Sequence, residues 1–327
     1  MRLRLFATVL TALAFTASGA FAQSGKLTLY TSQPNEDAAQ TVEAFNEQYP
    51  DVDVEIFRSG TTKVMGKLMS EISGGNPQPD VLLIADVVNM EKLKSGGHLM
   101  AYEGADVSGF DAKTYDTDKT YFGTKLITTG LIYNTAAQHT PETWEDLTKD
   151  WAKGKVIMPS PLYSGAAVNT MGILTRTDGL AWDYYKALAD NDVAAVRGNG
   201  TTLKQVASGQ KAYGMVVDFL AFNAKAQGSP VDFVVPERGL TWVSEPVAIL
   251  DTADNKEASK AFVDFLLSEQ GQELASSQGY IPAKSGVEMP EWLPEGRELK
   301  LMEKDAGAIL ETMGQDLKRF EELFGAS

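Results

Sequence analysis

Residues 26–84 read KLTLYTSQPNEDAAQTVEAFNEQYPDVDVEIFRSGTTKVMGKLMSEISGGNPQPDVLLI, a run in which short apolar or β-branched stretches alternate with amphipathic ones. Residues 26–30 predict a strand, and 36–48 a helix with Ala38, Val42 and Phe45 on one face. Residues 52–57 predict a second strand. A second helix follows over 61–72, where Val64, Met65, Leu68, Met69 and Ile72 recur at helical spacing. The breaker-rich loop Gly74-Gly75-Asn76-Pro77-Gln78-Pro79 then delivers the chain to the apolar run 80–84, read as a third strand. Strands joined by crossover helices are parallel, and their carboxyl ends are where the loops, and so any ligand, gather.

Beyond this unit an extended stretch over 122–133 leads to a second α/β unit. Its expected elements are a strand at 155–158, helices at 166–175, 182–189 and 203–208, a buried strand at 213–217 and a helix at 221–227. Strands at 231–235 and 246–250, helices at 256–267 and 269–277, and a charged amphipathic helical tail over 299–324 complete the chain. No repeat and no low-complexity linker interrupts it, so two α/β lobes joined by ordered crossover strands are expected. The partition is 23–125 with 245–285 for one lobe and 126–244 with 286–327 for the other.

Upstream, Arg2 and Arg4 precede the apolar run 5–17, and small residues lead to Ala20-Phe21-Ala22. That order is the signature of a secretory signal peptide over 1–22, cleaved after Ala22, and its apolar core is too short to cross a bilayer. The expected location is therefore the periplasm. The sequence has no cysteine, which excludes a disulfide framework, a thiol nucleophile, a cysteine metal site and a lipidated cysteine anchor. Removing Arg2 and Arg4 with the leader leaves 27 basic against 44 acidic side chains, a net charge of −17, which argues against nucleic acid and anionic lipid as partners.

Catalytic signatures are missing. His98 and His139 are the only histidines, and no G-x-S-x-G, Walker A or H-E-x-x-H pattern occurs. Gly198-Asn199-Gly200 lacks the third glycine of a dinucleotide fingerprint and reads as a turn. A binding protein without cofactor, metal or turnover is expected. What recurs instead is a polar turn opening a helix just after a strand: Thr31-Ser32-Gln33, then Ser59-Gly60-Thr61-Thr62, then the turn from Ser160 to Ser164-Gly165-Ala166. Helix amino termini carry unpaired N–H groups and a positive dipole end, so two such turns, one per lobe, suit a bound oxyanion. Plain N-capping by Ser and Thr accounts for either turn alone.

These residues resemble the periplasmic binding proteins of ABC importers, in the branch that contains the ferric-ion-binding proteins. The carriers are Leu29-Tyr30-Thr31-Ser32-Gln33, Pro79-Asp80-Val81, Gly130-Leu131-Ile132-Tyr133-Asn134, Tyr163-Ser164-Gly165-Ala166, and the run Lys260 to Leu266 followed by Gly271-Gln272. The resemblance covers nearly the whole mature chain. It implies the type II two-lobe α/β fold with the ligand in the interlobe cleft, a membrane permease and a cytoplasmic ATPase as partners, and a monomer that closes by a hinge.

The resemblance does not imply iron. Where the ferric proteins place two adjacent tyrosines this chain has Asp218-Phe219, their histidine is matched by Pro34, and their ligand glutamate by Asp86; Tyr184-Tyr185 falls on an expected helix well before the pair's place. The companion anion of that family is held at a Ser-Gly-Ala turn and an asparagine, matched here by Ser164, Gly165, Ala166 and Asn199. An anion cradle beside two carboxylates, Asp86 and Asp218, suits a phosphoryl or phosphonyl group at one end of the ligand and an ammonium at the other. The expected ligand is thus 2-aminoethylphosphonate, with a sugar phosphate or Fe(III) as alternatives and, in a different class, a secreted hydrolase using the two carboxylates. The expected ligand contacts are Ser32, Ser59, Gly60, Thr61, Thr62, Asp86, Ser164, Gly165, Ala166, Asn199, Asp218 and Trp242. Glu245, Arg58 and Lys63 are further candidates.

Overall fold

A computed structural model describes residues 23–294, 296 and 298–325. The leader expected at 1–22 lies outside the described residues. The first unit forms as its periodicity requires: β1 (Gly25–Thr31), α1 (Asn35–Gln48), β2 (Val52–Arg58), α2 (Thr61–Ser73) and β3 (Val81–Leu83), with β1 parallel to both β2 and β3. An unforeseen short helix, α3 (Val87–Ser95), follows at once, begun by the Asp86 carboxylate, which accepts from the Val88 and Asn89 N–H groups.

The long strand β4 (Phe122–Asn134) carries the chain into the second unit. There β5 (Val156–Pro159), α4 (Gly165–Leu174), α5 (Ala181–Asp190), β6 (Ala194–Val196), α6 (Asn199–Ala207), β7 (Tyr213–Val217), α7 (Asp218–Ala226) and β8 (Val231–Val234) follow. A second long strand, β9 (Thr241–Ile249), runs back antiparallel to β4, pairing Thr241 with Thr129 at one end and Val247 with Phe122 at the other. The chain then adds α8 (Lys256–Leu267), α9 (Glu269–Ser277), the short β10 (Ile281–Pro282) and α10 (Ala306–Phe324).

Strand order is β2-β1-β3-β9-β4-β7-β5-β6, with β8 and β10 also paired to β4. Because β4 and β9 pass through both halves, the two lobes share one continuous sheet. The apolar clusters nonetheless divide. One gathers Leu27, Leu29, Phe45, Val247, Phe262 and Phe265, and another Trp144, Met158, Tyr184, Tyr185, Tyr213 and Phe320. Each such buried side chain stabilises the fold by roughly 1.5–3 kcal/mol, which lets the lobes hold without cross-links. Between them, Ile127 on β4 and Val243 on β9 pack with Ala85, Ala166, Val217, Phe219 and Tyr280.

Strand β6 is not among the expected elements, and α6 and α7 start four and three residues before the expected 203 and 221; two further boundaries differ for identifiable physical reasons. Strand β9 starts five residues before the expected 246, because Pro246 reads as a strand end although it lies inside the strand, opposite Gly123. The tail does not begin its helix at 299. Residues around Leu301 first run beside Leu240, with Leu240 N–H donating to Lys300 and Met302 N–H to Leu240, and the helix starts only where the Asp305 side chain accepts from Ala308 N–H.

Candidate functional site

Three strand ends turn into helices on one side of the sheet, and their first turns meet around a cavity of about 280 Å3. That volume is near the lower end of ligand pockets, roughly 300–1,000 Å3, so the occupant is small. Gly60 and Thr61 come from the start of α2, Ser164, Gly165 and Ala166 from the start of α4, and Asn199, Gly200 and Thr201 from the start of α6. First-turn N–H groups have no acceptor within their own helix, so three positive dipole ends converge on one space. The stretch Gly198-Asn199-Gly200 is therefore a helix start as well as a turn.

Side chains reinforce the charge. Arg58 and Arg197 both border the cavity. Arg58 is anchored by donating through Nε to the Gln33 carbonyl at 2.5 Å and through Nη2 to the Ser32 carbonyl at 3.3 Å. The Arg197 guanidinium lies 4.8 Å from the centre of the Tyr163 ring. Burial raises the Tyr163 phenol pKa, but bonds from Ser59 and Gly60 N–H together with Arg58 and Arg197 outweigh burial and leave it below the usual tyrosine value. Asn199 bridges helix starts, donating to the Ser164 hydroxyl at 3.3 Å while its Oδ1 accepts from Val217 N–H at 3.2 Å. The Ser164 hydroxyl also accepts from Ala167 N–H at 3.3 Å, so capping and cavity lining coincide in one residue.

Of the residues read from the sequence, Ser32, Gly60, Thr61, Ser164, Gly165, Ala166 and Asn199 line the cavity. Thr62 joins the two lobes: its N–H donates to the Tyr163 carbonyl at 3.3 Å and its hydroxyl to the Pro161 carbonyl at 3.0 Å. Ser59 supports Tyr163. Trp242 lies on β9 with its indole N–H donating to Met302 and Lys304 over its ring at 4.5 Å, away from the cavity lining.

The two carboxylates also lie off the lining. Asp86 is fully buried, accepts from Val88 N–H at 2.8 Å and from the Asn89 side chain, and faces Lys304. Asp218 is 1% exposed and holds the crossover strand, accepting from the Thr128 N–H at 3.0 Å and hydroxyl at 2.7 Å, and from Phe219 N–H at 2.8 Å. Burial pushes Asp86 up to about 6 and Asp218 up to about 7, against the opposing pull of these donors and, for Asp86, of Lys304.

Both shifts have the same sign for stability. A carboxylate whose folded pKa is raised binds its proton more tightly in the folded chain, so its contribution is fully present below the unfolded value of 3.8 and is lost as pH rises through about 6 to 7. The melting temperature is therefore expected to climb as pH falls from 8 to 5, with Asp218 alone supplying a slope of up to about 1 kcal/mol per pH unit. Asp218→Asn, which mimics the neutral acid, should flatten that slope in a calorimetric pH series. An unchanged slope would mean that Asp218 stays ionised throughout.

The sequence reading missed Gln33, Tyr163, Arg197, Phe219, Leu220 and Tyr280 as cavity residues. Glu245 borders the cavity as well, 2.7 Å from Lys125 Nζ, close enough for an ion pair though not aligned as a hydrogen bond. Tyr184 and Tyr185 are buried in the second lobe, where the Tyr184 hydroxyl donates to the Trp144 carbonyl at 2.8 Å.

The fold recurs in solved structures. The periplasmic binding protein AfuA from Actinobacillus pleuropneumoniae, with fructose 6-phosphate bound, matches with a TM-score of 0.83 at 24% identity over 92% of this chain and 99% of that one. The ferric binding protein from Campylobacter jejuni matches with a TM-score of 0.77 at 20% identity, over 91% of this chain and 99% of that one. In sequence, a probable ABC transporter periplasmic-binding protein of Sinorhizobium fredii is 25% identical over 266 residues, 77% of this chain and 72% of the relative. The family model described as bacterial extracellular solute-binding protein matches residues 40–300, and the chain belongs to that family.

Proposed function

We propose that this protein is the periplasmic substrate-binding component of an ABC importer, and that it captures a small organic phosphate for delivery to a membrane permease and its ATPase. The observation that carries the ligand class is the convergence of three helix starts and two guanidiniums, Arg58 and Arg197, on one cavity. Oxyanions are the ligands that such an array stabilises, through charge-assisted bonds from N–H donors. The lobes proposed to close around it are 23–125 with 245–285 and 126–244 with 286–327. The hydrogen bonds from Thr62 to the Tyr163 and Pro161 carbonyls support that reading, since they join segments of the two proposed lobes.

The organic end is proposed to carry hydroxyls, as in a sugar phosphate. An ammonium, as in 2-aminoethylphosphonate, needs a free carboxylate, and Asp86 and Asp218 are engaged with helix starts and with β4. Glu245 already faces Lys125. The similarity to AfuA, whose structure has fructose 6-phosphate bound, supports this choice.

The test is a calorimetric and thermal-shift screen of residues 23–327, stripped of carried-over ligand, against fructose 6-phosphate, 2-aminoethylphosphonate, inorganic phosphate and Fe(III). A ligand that binds only the folded closed state raises the melting temperature by mass action. Fructose 6-phosphate is expected to give the largest shift with no release of inorganic phosphate, and Arg197→Ala to weaken it roughly 10- to 100-fold through loss of a charged donor. A response to 2-aminoethylphosphonate alone would restore the ammonium reading. A response to Fe(III) alone would remove the anion reading, and steady phosphate release would make the protein a hydrolase.

A further inference from the structure

One polar side chain at the cavity has no partner. Gln33, at the end of β1, borders the cavity and is 1% exposed, and neither its amide nitrogen nor its amide oxygen has a hydrogen-bond partner among the described residues. Its backbone is fully used, the N–H donating to the Thr31 hydroxyl at 3.1 Å and the carbonyl accepting from Arg58 Nε at 2.5 Å. The main chain is thus pinned while the carboxamide stays unsatisfied. A buried polar group in that state destabilises the folded chain unless something else meets it. The cavity that Gln33 borders is a space from which a partner can come.

We propose that the Gln33 carboxamide selects the hydroxyl-bearing end of the ligand; this rests on the organic-phosphate reading above. The chemistry of the amide decides the class. Its nitrogen donates two hydrogens and its oxygen accepts, so full satisfaction needs a partner that both accepts and donates. A hydroxyl does both, and two neighbouring hydroxyls meet both atoms at once. An ammonium offers donors only and leaves Nε2 unmet, whereas the dianion of a simple phosphate ester offers acceptors only and leaves Oε1 unmet. Gln33 therefore separates a polyol phosphate from a simple alkyl phosphate and from an aminoalkyl phosphonate. A site built to bond a ligand hydroxyl rejects analogues lacking it, because its own buried groups then remain unpaired.

The experiment compares Gln33→Met, similar in length but without donor or acceptor, with the unsubstituted protein, titrating each by calorimetry with fructose 6-phosphate and with methyl phosphate. The variant is expected to bind fructose 6-phosphate roughly 10- to 100-fold more weakly and methyl phosphate equally well. Its ligand-free melting temperature should hold or rise, since an apolar side chain relieves the unmet amide. Unchanged fructose 6-phosphate affinity in the variant overturns the role of Gln33 and leaves the organic-phosphate reading standing. Equal loss for both probes, or a lower ligand-free melting temperature, assigns Gln33 to the phosphate or to the fold and also overturns it. If the unsubstituted protein binds neither probe, the underlying reading falls and takes this one with it.

Discussion

Alanine at Gly60 or at Gly165 is expected to weaken binding of the proposed ligand, fructose 6-phosphate, by roughly 10- to 100-fold and to leave the ligand-free melting temperature unchanged. The asymmetry follows from what the missing methyl groups would touch. A Cβ on Gly60 would collide with the Tyr163 carbonyl oxygen and ring, which belong to the other lobe. One on Gly165 would collide with the Ala85 carbonyl oxygen and approach Thr61 Oγ1 to 2.7 Å, again across the gap. Neither backbone needs glycine for its own sake: Gly60 sits at φ −65° and ψ 150°, which alanine adopts freely, and Gly165 opens a helix. Overpacking of this kind costs about 1–3 kcal/mol, and on the proposed closure, which brings these segments together, it falls on the closed arrangement. A ligand that requires closure then sees a smaller competent fraction and a proportionally weaker apparent affinity. Calorimetry beside scanning fluorimetry reads both quantities. Normal affinity in both variants would mean that the lobes need not approach this closely to hold ligand.

Removing Glu245 should destabilise the protein by about 3–5 kcal/mol, because Lys125 would be left as an unpaired buried cation. The side chains of Lys125 and Glu245 are 4% and 2% exposed, and they stand on β4 and β9, the two strands shared by the lobes. Burial raises the Glu245 pKa while Lys125 draws it down, so partner and environment oppose each other. Lys125 also lies 4.1 Å from the centre of the Tyr280 ring, which retains part of its stabilisation. Urea denaturation of Glu245→Ala is expected to show the full loss. The double variant Lys125→Met with Glu245→Met should recover most of it, since a buried pair replaced by apolar groups of similar size is close to neutral. If the double variant is no better than the single one, the pair is not what Glu245 supports.

Much of the fold was legible because α/β periodicity is local. Val64, Met65 and Leu68 must share a helix face wherever the chain goes, and all three are buried. The gathering of Ser164, Gly165 and Ala166 at the cavity was legible for the same reason, since a Ser-Gly-Ala turn opening a helix declares its own dipole. The other half was not. Asp86 and Asp218 sit one residue from the cavity-lining Ala85 and Phe219, yet each carboxylate turns to donors of its own neighbourhood, a choice that depends on Val88 in one case and on Thr128, ninety positions away, in the other. Gln33 and Tyr163 stand inside recognisable turns that do not mark them as contacts, and Arg197 carries no motif; only the meeting of β1, the turn before α4 and the turn before α6 brings them to one cavity. Thr62 shows the intermediate case: its turn was recognised, but its hydroxyl crosses to the opposite lobe at Pro161.

The position of β9 in the sheet governs when the protein can be finished. Strand β3 pairs on one side with β1 and on the other with β9, where Val81, Leu82 and Leu83 meet Ile249, Ala248 and Val247. These six residues are almost wholly buried, so a chain that stops short of Thr241 carries an unpaired apolar edge in place of a closed core. Synthesis must reach residue 249 of the 327 before β3, one of the earliest strands, acquires its full second neighbour. The amino-terminal part of the sheet is in this sense completed late although its strands are made first, and truncated or slowly made chains are the ones at risk of edge-to-edge aggregation.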